Sequence, residues 1–272
     1  MPTPFPLTAL PALAVELALM VGGLALLWRV QLSPAARATR PPAALTAWTI
    51  ALPDFGLFAW CVIAGGFLGE LAMVQGLSLF ALDGDTRQVL AGAAFQFGML
   101  AGCAGFALFA PGGRDFAWPR GSFLRDGMAT FAIALPVLVT VGLLWTLLLQ
   151  LVGLPAERQE LIGLFAGARS PLLLGSLVAL ASIVAPITEE LVFRAGLFRY
   201  ARTRLPRWAA LLLPAVIFGA VHGNLASFAQ LVTLGVIFSL AYERTGNIAV
   251  PMLAHALFNL NTIALILSGI EL

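Results

Sequence analysis

Long apolar runs, broken by short polar stretches, make up most of this chain. A helix needs about 20 apolar residues to cross a bilayer. Read at that length, the pattern predicts eight spans, at roughly 9–29, 55–81, 89–110, 128–152, 171–193, 208–223, 226–242 and 247–268. The stretch from Pro41 to Leu82 is long, and "PDFG" (Pro53 to Gly56) interrupts it. It is read as an interfacial or re-entrant piece, Ala43 to Leu52, followed by one span. The first segment has no basic leader and a long apolar run, so it is expected to be an anchor and not a cleaved signal peptide. The fold class expected is all-α: a polytopic membrane helix bundle of about eight helices, forming one integral membrane domain over residues 1–272.

Composition strengthens this picture. Of 272 residues, 60% are hydrophobic and only 10% charged, with a mean hydropathy of +0.97. A soluble domain carries about 25% charged residues, so most of this surface must face lipid. All fifteen basic residues are arginine. With eight spans, Arg29, Arg37, Arg40, Arg114, Arg120, Arg125, Arg199, Arg202, Arg204, Arg207 and Arg244 fall on one side. Arg87, Arg158 and Arg169 fall on the other. The bias makes the first side cytoplasmic and sends both termini outward. The reading is therefore a multi-pass protein of the inner, cytoplasmic membrane, with the lipid bilayer as its surroundings. A net charge of +2 makes nucleic acid an implausible partner. Cys61 and Cys103 lie in apolar stretches and read as small core residues. Glu16, Asp54 and Glu70 fall in or near spans; intramembrane acids are often functional, but these are read as lying near span ends or along a polar seam.

The candidate chemistry lies in three stretches near the C-terminus. In "TEELVFRAGLF", Glu190 and Arg194 are one helical turn apart and share a face, while Glu189 points about 100° away. Adjacent carboxylates in unequal surroundings are how acid/base sites are built; an ordinary ion pair at a helix end is the plainer reading of this motif alone. "FGAVHGN" puts Phe218 one turn before His222, with Asn224 close behind. "HALFN" puts His255 and Asn259 on one face. These are the two histidines of the whole chain, and both lie in membrane segments. Such residues face a bundle interior or a wet cavity. A carboxylate with an imidazole can deprotonate water, and a second imidazole with an amide can donate to a developing oxyanion. There is no serine in a nucleophile motif. Amide hydrolysis by activated water inside the membrane is the reaction this set suits. His222, His255 and Glu189 are also types that bind zinc, but HExxH is absent. The expectation is no metal and no cofactor, with Zn as the alternative.

The three stretches together resemble the CPBP family of intramembrane proteases, which includes the type II CAAX prenyl endopeptidases and bacterial relatives linked to bacteriocin processing and immunity. The family shows EExxxR, FxxxH and HxxxN/D in successive membrane helices. Here these read Glu189 to Arg194, Phe218 to His222 and His255 to Asn259. The resemblance implies a catalytic core over residues 171–269, preceded by spans without a motif over 1–165. It implies Glu189 as general base, helped by His222, with His255 and Asn259 as the oxyanion site. Glu190 and Arg194 would hold the geometry or seat the substrate, and Phe218 and Asn224 would support the site. The implied partner is a membrane-anchored peptide or protein substrate, with prenylated and sorting-tagged chains as the options the family offers. A non-proteolytic scaffold or immunity protein on the same fold is the alternative, and a proton-coupled transporter a third class, which should show repeat symmetry between its halves.

The depths do not agree at these boundaries. His222 lies about 20 Å from the start of its span near Trp208, and His255 about 12 Å from the start near Asn247. Glu189 lies close to the arginine-rich end of its own span. A shared site needs the helix through 193 to continue, or the sixth span to tilt or begin later, as Pro206 and Pro214 allow. The expected site is a hydrated cavity open to the cytoplasm and tapering toward mid-membrane.

Overall fold

The computed structural model describes residues 9–39, 41–113, 115–116, 121–155, 160–167 and 170–270. Arg40, Arg114, Arg120, Arg158 and Arg169, all used in the orientation above, lie outside the described residues. Every described element is helical. The helices are α1 (Leu10–Leu32), α3 (Leu52–Leu77), α4 (Gly84–Phe109), α5 (Leu124–Leu151), α7 (Pro171–Arg202) and α10 (Ala249–Leu267). Between them lie the short α2 (Pro34–Ala38), α6 (Glu160–Gly167), α8 (Arg207–Val221) and α9 (Phe228–Thr245). Each of the eight predicted spans coincides with one of these helices. Among the described residues, six helices are long and apolar enough to cross a membrane. α8 is shorter, at 15 residues, and α9 carries Glu243 and Arg244 in its last turn. The count of eight crossings therefore reduces to six helices of crossing length. The protein is a polytopic helical membrane bundle.

Its outer surface fits that role. Leu17, Phe67, Leu108, Leu143 and Leu172 are each more than half exposed, as lipid-facing side chains are. The inward faces are small where helices cross closely. At Gly98 of α4, an added Cβ would lie 2.1 Å from the Gly65 carbonyl oxygen of α3, and at Gly102 it would lie 2.2 Å from that of Cys61. These glycines let the two backbones touch, which is how helices pack without help from water. Cys103 faces the same interior and is buried, as expected. Of the acids in or near spans, Glu16 accepts a 2.9 Å hydrogen bond from Asn261 Nδ2, joining α1 to α10 as a polar seam.

Residues 41–51 are not helical, so the Ala43 to Leu52 piece is a strap leading into the single helix α3. Pro53 starts that helix instead of interrupting one: its missing N–H costs nothing in the first turn. The strap turns inward. Trp48 is fully buried and meets Phe58, Phe106 and Phe116 edge to face. The backbone N–H groups of Ala44 and Leu45 donate to the Glu243 carbonyl. Arg199 donates to Thr46 O at 2.9 Å and Asp115 O at 2.6 Å, and Arg204 donates to Ile50 O. The strap, the segment before α5, the α7–α8 turn and the end of α9 thus share one end of the bundle, the arginine-rich one.

Gly246 follows α9 in the left-handed region, at φ 62°. A Cβ there would sit 2.6 Å from the Ala44 carbonyl oxygen. Glycine is required on both counts.

Candidate active site

α7 is the helix that builds the site. The sequence reading ended it at 193; it continues to Arg202, which places Glu189 in its interior and removes the depth conflict. The helix is not uniform. Pro186 lacks an N–H, and π-type turns occupy Leu180–Val184 before it and Glu190–Phe198 after it. Such wide turns cluster at functional sites. Here they carry the charged motif.

Glu190 is fully buried, and Arg194 and His255 are 1% and 3% exposed. Arg194 Nη1 donates to Glu190 Oε1 at 2.8 Å. His255 Nδ1 meets the same oxygen at 2.9 Å. A carboxylate only accepts, so Nδ1 carries the proton and the other ring nitrogen, Nε2, is turned away from Glu190. That nitrogen faces Glu189, with Oε2 at 3.9 Å. Glu189 is less buried, its side chain 16% exposed. The two glutamates are thus sorted as their spacing predicts: Glu190 is inward and paired, while Glu189 is turned to the accessible side.

Aromatic rings wall this cluster. Arg194 lies 4.5 Å over the Phe218 ring and 5.3 Å over that of Phe238, contacts that favour a cation. Phe218 also packs edge-on to His222 at 4.8 Å and to His255 at 6.1 Å. The FxxxH motif therefore places Phe218 as the divider between the two histidines.

The remaining expected residues sit further round. His222 caps α8 and is exposed, and its Nδ1 lies 2.7 Å from the Phe218 carbonyl. Asn259 Nδ2 donates to Ala181 O at 2.8 Å. It ties α10 to the first π turn of α7. Asn224 uses Oδ1 in the α8–α9 turn, accepting from Ser227 N at 2.9 Å and Ser227 Oγ at 3.0 Å. The structure brings Glu189, Glu190, Arg194 and His255 into one cluster with Phe218. His222 joins it through Phe218, Asn259 through the α7 backbone, and Asn224 through the turn that follows His222.

Gln96 of α4 was not anticipated. Its Nε2 lies 3.5 Å from Glu189 Oε1. The signal was present as an amide in the middle of an apolar helix, but no motif pointed to it. Among the described residues, no three His, Cys, Asp or Glu side chains are grouped to hold a metal ion. At the arginine-rich end, a cavity of about 310 Å³ is lined by Thr46, Arg199, Arg202, Thr203 and Glu243 among others, and no expected catalytic residue lines it.

Fold and site together define a polytopic helical membrane protein with a buried Glu–Arg–His network between two of its C-terminal helices. Residues 171–261 match the family described as type II CAAX prenyl endopeptidase, Rce1-like. That is the stretch holding the three motifs. The chain is 36% identical over 83 residues to the protein named "Putative membrane peptidase YdiL" of Bacillus subtilis, covering 30% of this chain and 34% of that protein. It is 31% identical over 137 residues to the "Uncharacterized 24.3 kDa protein" of Escherichia coli, covering 48% of this chain and 61% of that one. The chain thus spans about a third of the first relative and three-fifths of the second. No solved structure matches it.

Proposed function

We propose that this protein is an intramembrane endopeptidase. It hydrolyses a peptide bond of a membrane-associated substrate, prenylated or sorting-tagged, with water activated by Glu189. The observation that carries the reading is the fixed orientation of His255. Glu190, itself neutralised by Arg194, holds Nδ1 at 2.9 Å, so Nε2 faces the Glu189 carboxylate across 3.9 Å. That is the base-plus-imidazole arrangement hydrolysis needs, with the orienting group buried behind it.

In this reading, Glu189 takes a proton from water as the water oxygen attacks the carbonyl carbon. The tetrahedral oxyanion is met by an Nε2–H of His255, carried in the doubly protonated form of the ring, and by the second N–H of Asn259, whose first N–H is committed to Ala181. The C–N bond then breaks, and Glu189 passes its proton to the leaving amine. His222, on the far side of Phe218, assists the water. The Rce1-like match over residues 171–261 supports the class of reaction. The arginine bias assigns the strap end to the cytoplasm, with the protein in the inner membrane.

The test is cleavage by the purified protein in detergent of a panel of membrane-anchored and prenylated peptides. Wild type, Glu189→Ala and His255→Ala are compared with and without a strong chelator. Wild-type cleavage that survives the chelator and falls by at least about 100-fold in both variants is the expected result. Chelator-sensitive cleavage would move the same residues into a metal shell. A folded wild type that cleaves nothing, with Glu189→Ala complementing a deletion strain as well as wild type does, would assign a scaffold instead.

A further inference from the structure

α4 belongs to the half of the chain without motifs, yet it reaches the site. Gln96 sits in the run Ala94-Phe95-Gln96-Phe97, and its Nε2 lies 3.5 Å from Glu189 Oε1. Since a carboxylate oxygen can only accept, the NH₂ end of the amide faces Glu189 and the carbonyl end turns away. That carbonyl oxygen is buried and has no hydrogen-bond partner among the described residues. A buried acceptor left unpaired lowers stability. A methionine of similar length would fill the same space without that cost. Packing of α4 therefore does not account for an amide at this position, whereas the bond to Glu189 does.

The two oxygens of Glu189 are approached from two other helices. Oε1 faces Gln96 on α4, and Oε2 faces His255 on α10. The last torsion of a glutamate is broad and soft, so a neighbour on each oxygen is what sets the plane of the carboxylate. Among the described residues, His255 of α10 faces Glu189, and Glu190 and Arg194 follow it on its own helix. α4 adds a neutral donor, which directs the carboxylate without adding a charge to the cluster.

We propose that Gln96 is a positioning residue, holding the Glu189 carboxylate in the plane from which it takes the proton of the attacking water. The proposal rests on the hydrolase reading above and extends that site to the N-terminal half of the chain.

The test combines infrared spectroscopy of the purified protein in detergent, at one fixed pH, with thermal unfolding and cleavage kinetics. The carboxylate stretching bands of Glu189 are assigned by their loss in Glu189→Gln. Gln96→Met is expected to shift those bands, because Oε1 loses its donor, and to unfold no earlier than wild type. Gln96→His, whose ring N–H has similar reach, should restore the bands in part. On any peptide the wild type cleaves, Gln96→Met should lower kcat by about 10- to 100-fold with KM nearly unchanged, and Gln96→His should recover part of the loss. Gln96→Leu replaces Gln96→Met if the latter does not fold. Unshifted Glu189 bands in a folded variant overturn the proposal. So does a loss of thermal stability in both apolar variants, which would make the amide a structural residue. The spectrum needs no substrate, so the bands decide whether Gln96 sets the Glu189 carboxylate even where the cleavage and complementation tests above overturn the hydrolase reading.

Discussion

Glu190 and Arg194 show how a charge is kept in a membrane bundle. Both are essentially without solvent, and they share a 2.8 Å bond that His255 joins from α10. Removing one member leaves the other buried and unmatched, which costs about 3–5 kcal/mol for a fully buried pair. Glu190→Gln and Arg194→Met are each expected to destabilise the protein by that order. The double variant should lose less than the sum, because no lone charge remains. Thermal unfolding of the four proteins in detergent, read as a double-mutant cycle, checks this; additive losses would deny the coupling. Several of these residues were legible from spacing alone. Spacing put Glu190 and Arg194 on one face and His255 with Asn259 on another, while the choice between an inward pair and an ion pair at a helix end was left to the structure. Gln96 was not legible, because one amide in one helix carries no pattern. What makes it matter is a contact 93 positions away along the chain.

Helices are joined at the arginine-rich end by a second cluster. Glu243 near the end of α9 receives Arg202 of α7 at 2.6 Å and Arg207 of α8 at 2.7 Å, so one carboxylate ties three helices. Burial pushes its carboxyl upward, but the hydrogen bonds and charges of Arg207 and Arg202 outweigh that and hold it below its ordinary value of 4.5. A carboxyl lowered on folding stabilises the fold fully above its unfolded value and loses that contribution as pH falls through the folded one. Glu243→Gln should therefore cost about 1–2 kcal/mol near neutral pH, a buried-pair figure reduced because both guanidinium groups are partly exposed. The difference from wild type should close as pH drops below the ordinary glutamate range. Unfolding of both proteins across that pH range measures it; a gap independent of pH would show that the ion pairs contribute nothing. At this scale the apolar pattern located every long helix to within a few residues, except the end of α7. There the pattern ran out at Phe193, while the helix runs on through buried Arg199 to Arg202. Arg199 looked like a loop residue because its partners, Thr46 and Asp115, lie far off in sequence.

For the molecule as a whole, the arginine bias predicts which end faces the cytoplasm. In a background of Cys61→Ala and Cys103→Ala, Arg244→Cys and Asp85→Cys place a thiol at exposed positions on opposite ends of the bundle. A membrane-impermeant maleimide added to intact spheroplasts should label Asp85→Cys and spare Arg244→Cys, with the reverse in inverted vesicles. The opposite pattern would turn the protein over and open its arginine-rich end outward. Composition and apolar run length by themselves determined that this is a membrane protein of helices, because so few charges cannot cover a soluble surface. Motif spacing determined which side chains share a helical face, since that depends only on residues one turn apart. Tertiary structure alone decided which imidazole faces Glu189, that the strap at 41–51 turns inward around Trp48, and that α4 supplies Gln96. Each of those outcomes depends on how separate helices are set against one another, by glycine contacts such as Gly65 with Gly98 and by π turns that shift a face, and spacing along one helix holds no record of its neighbours.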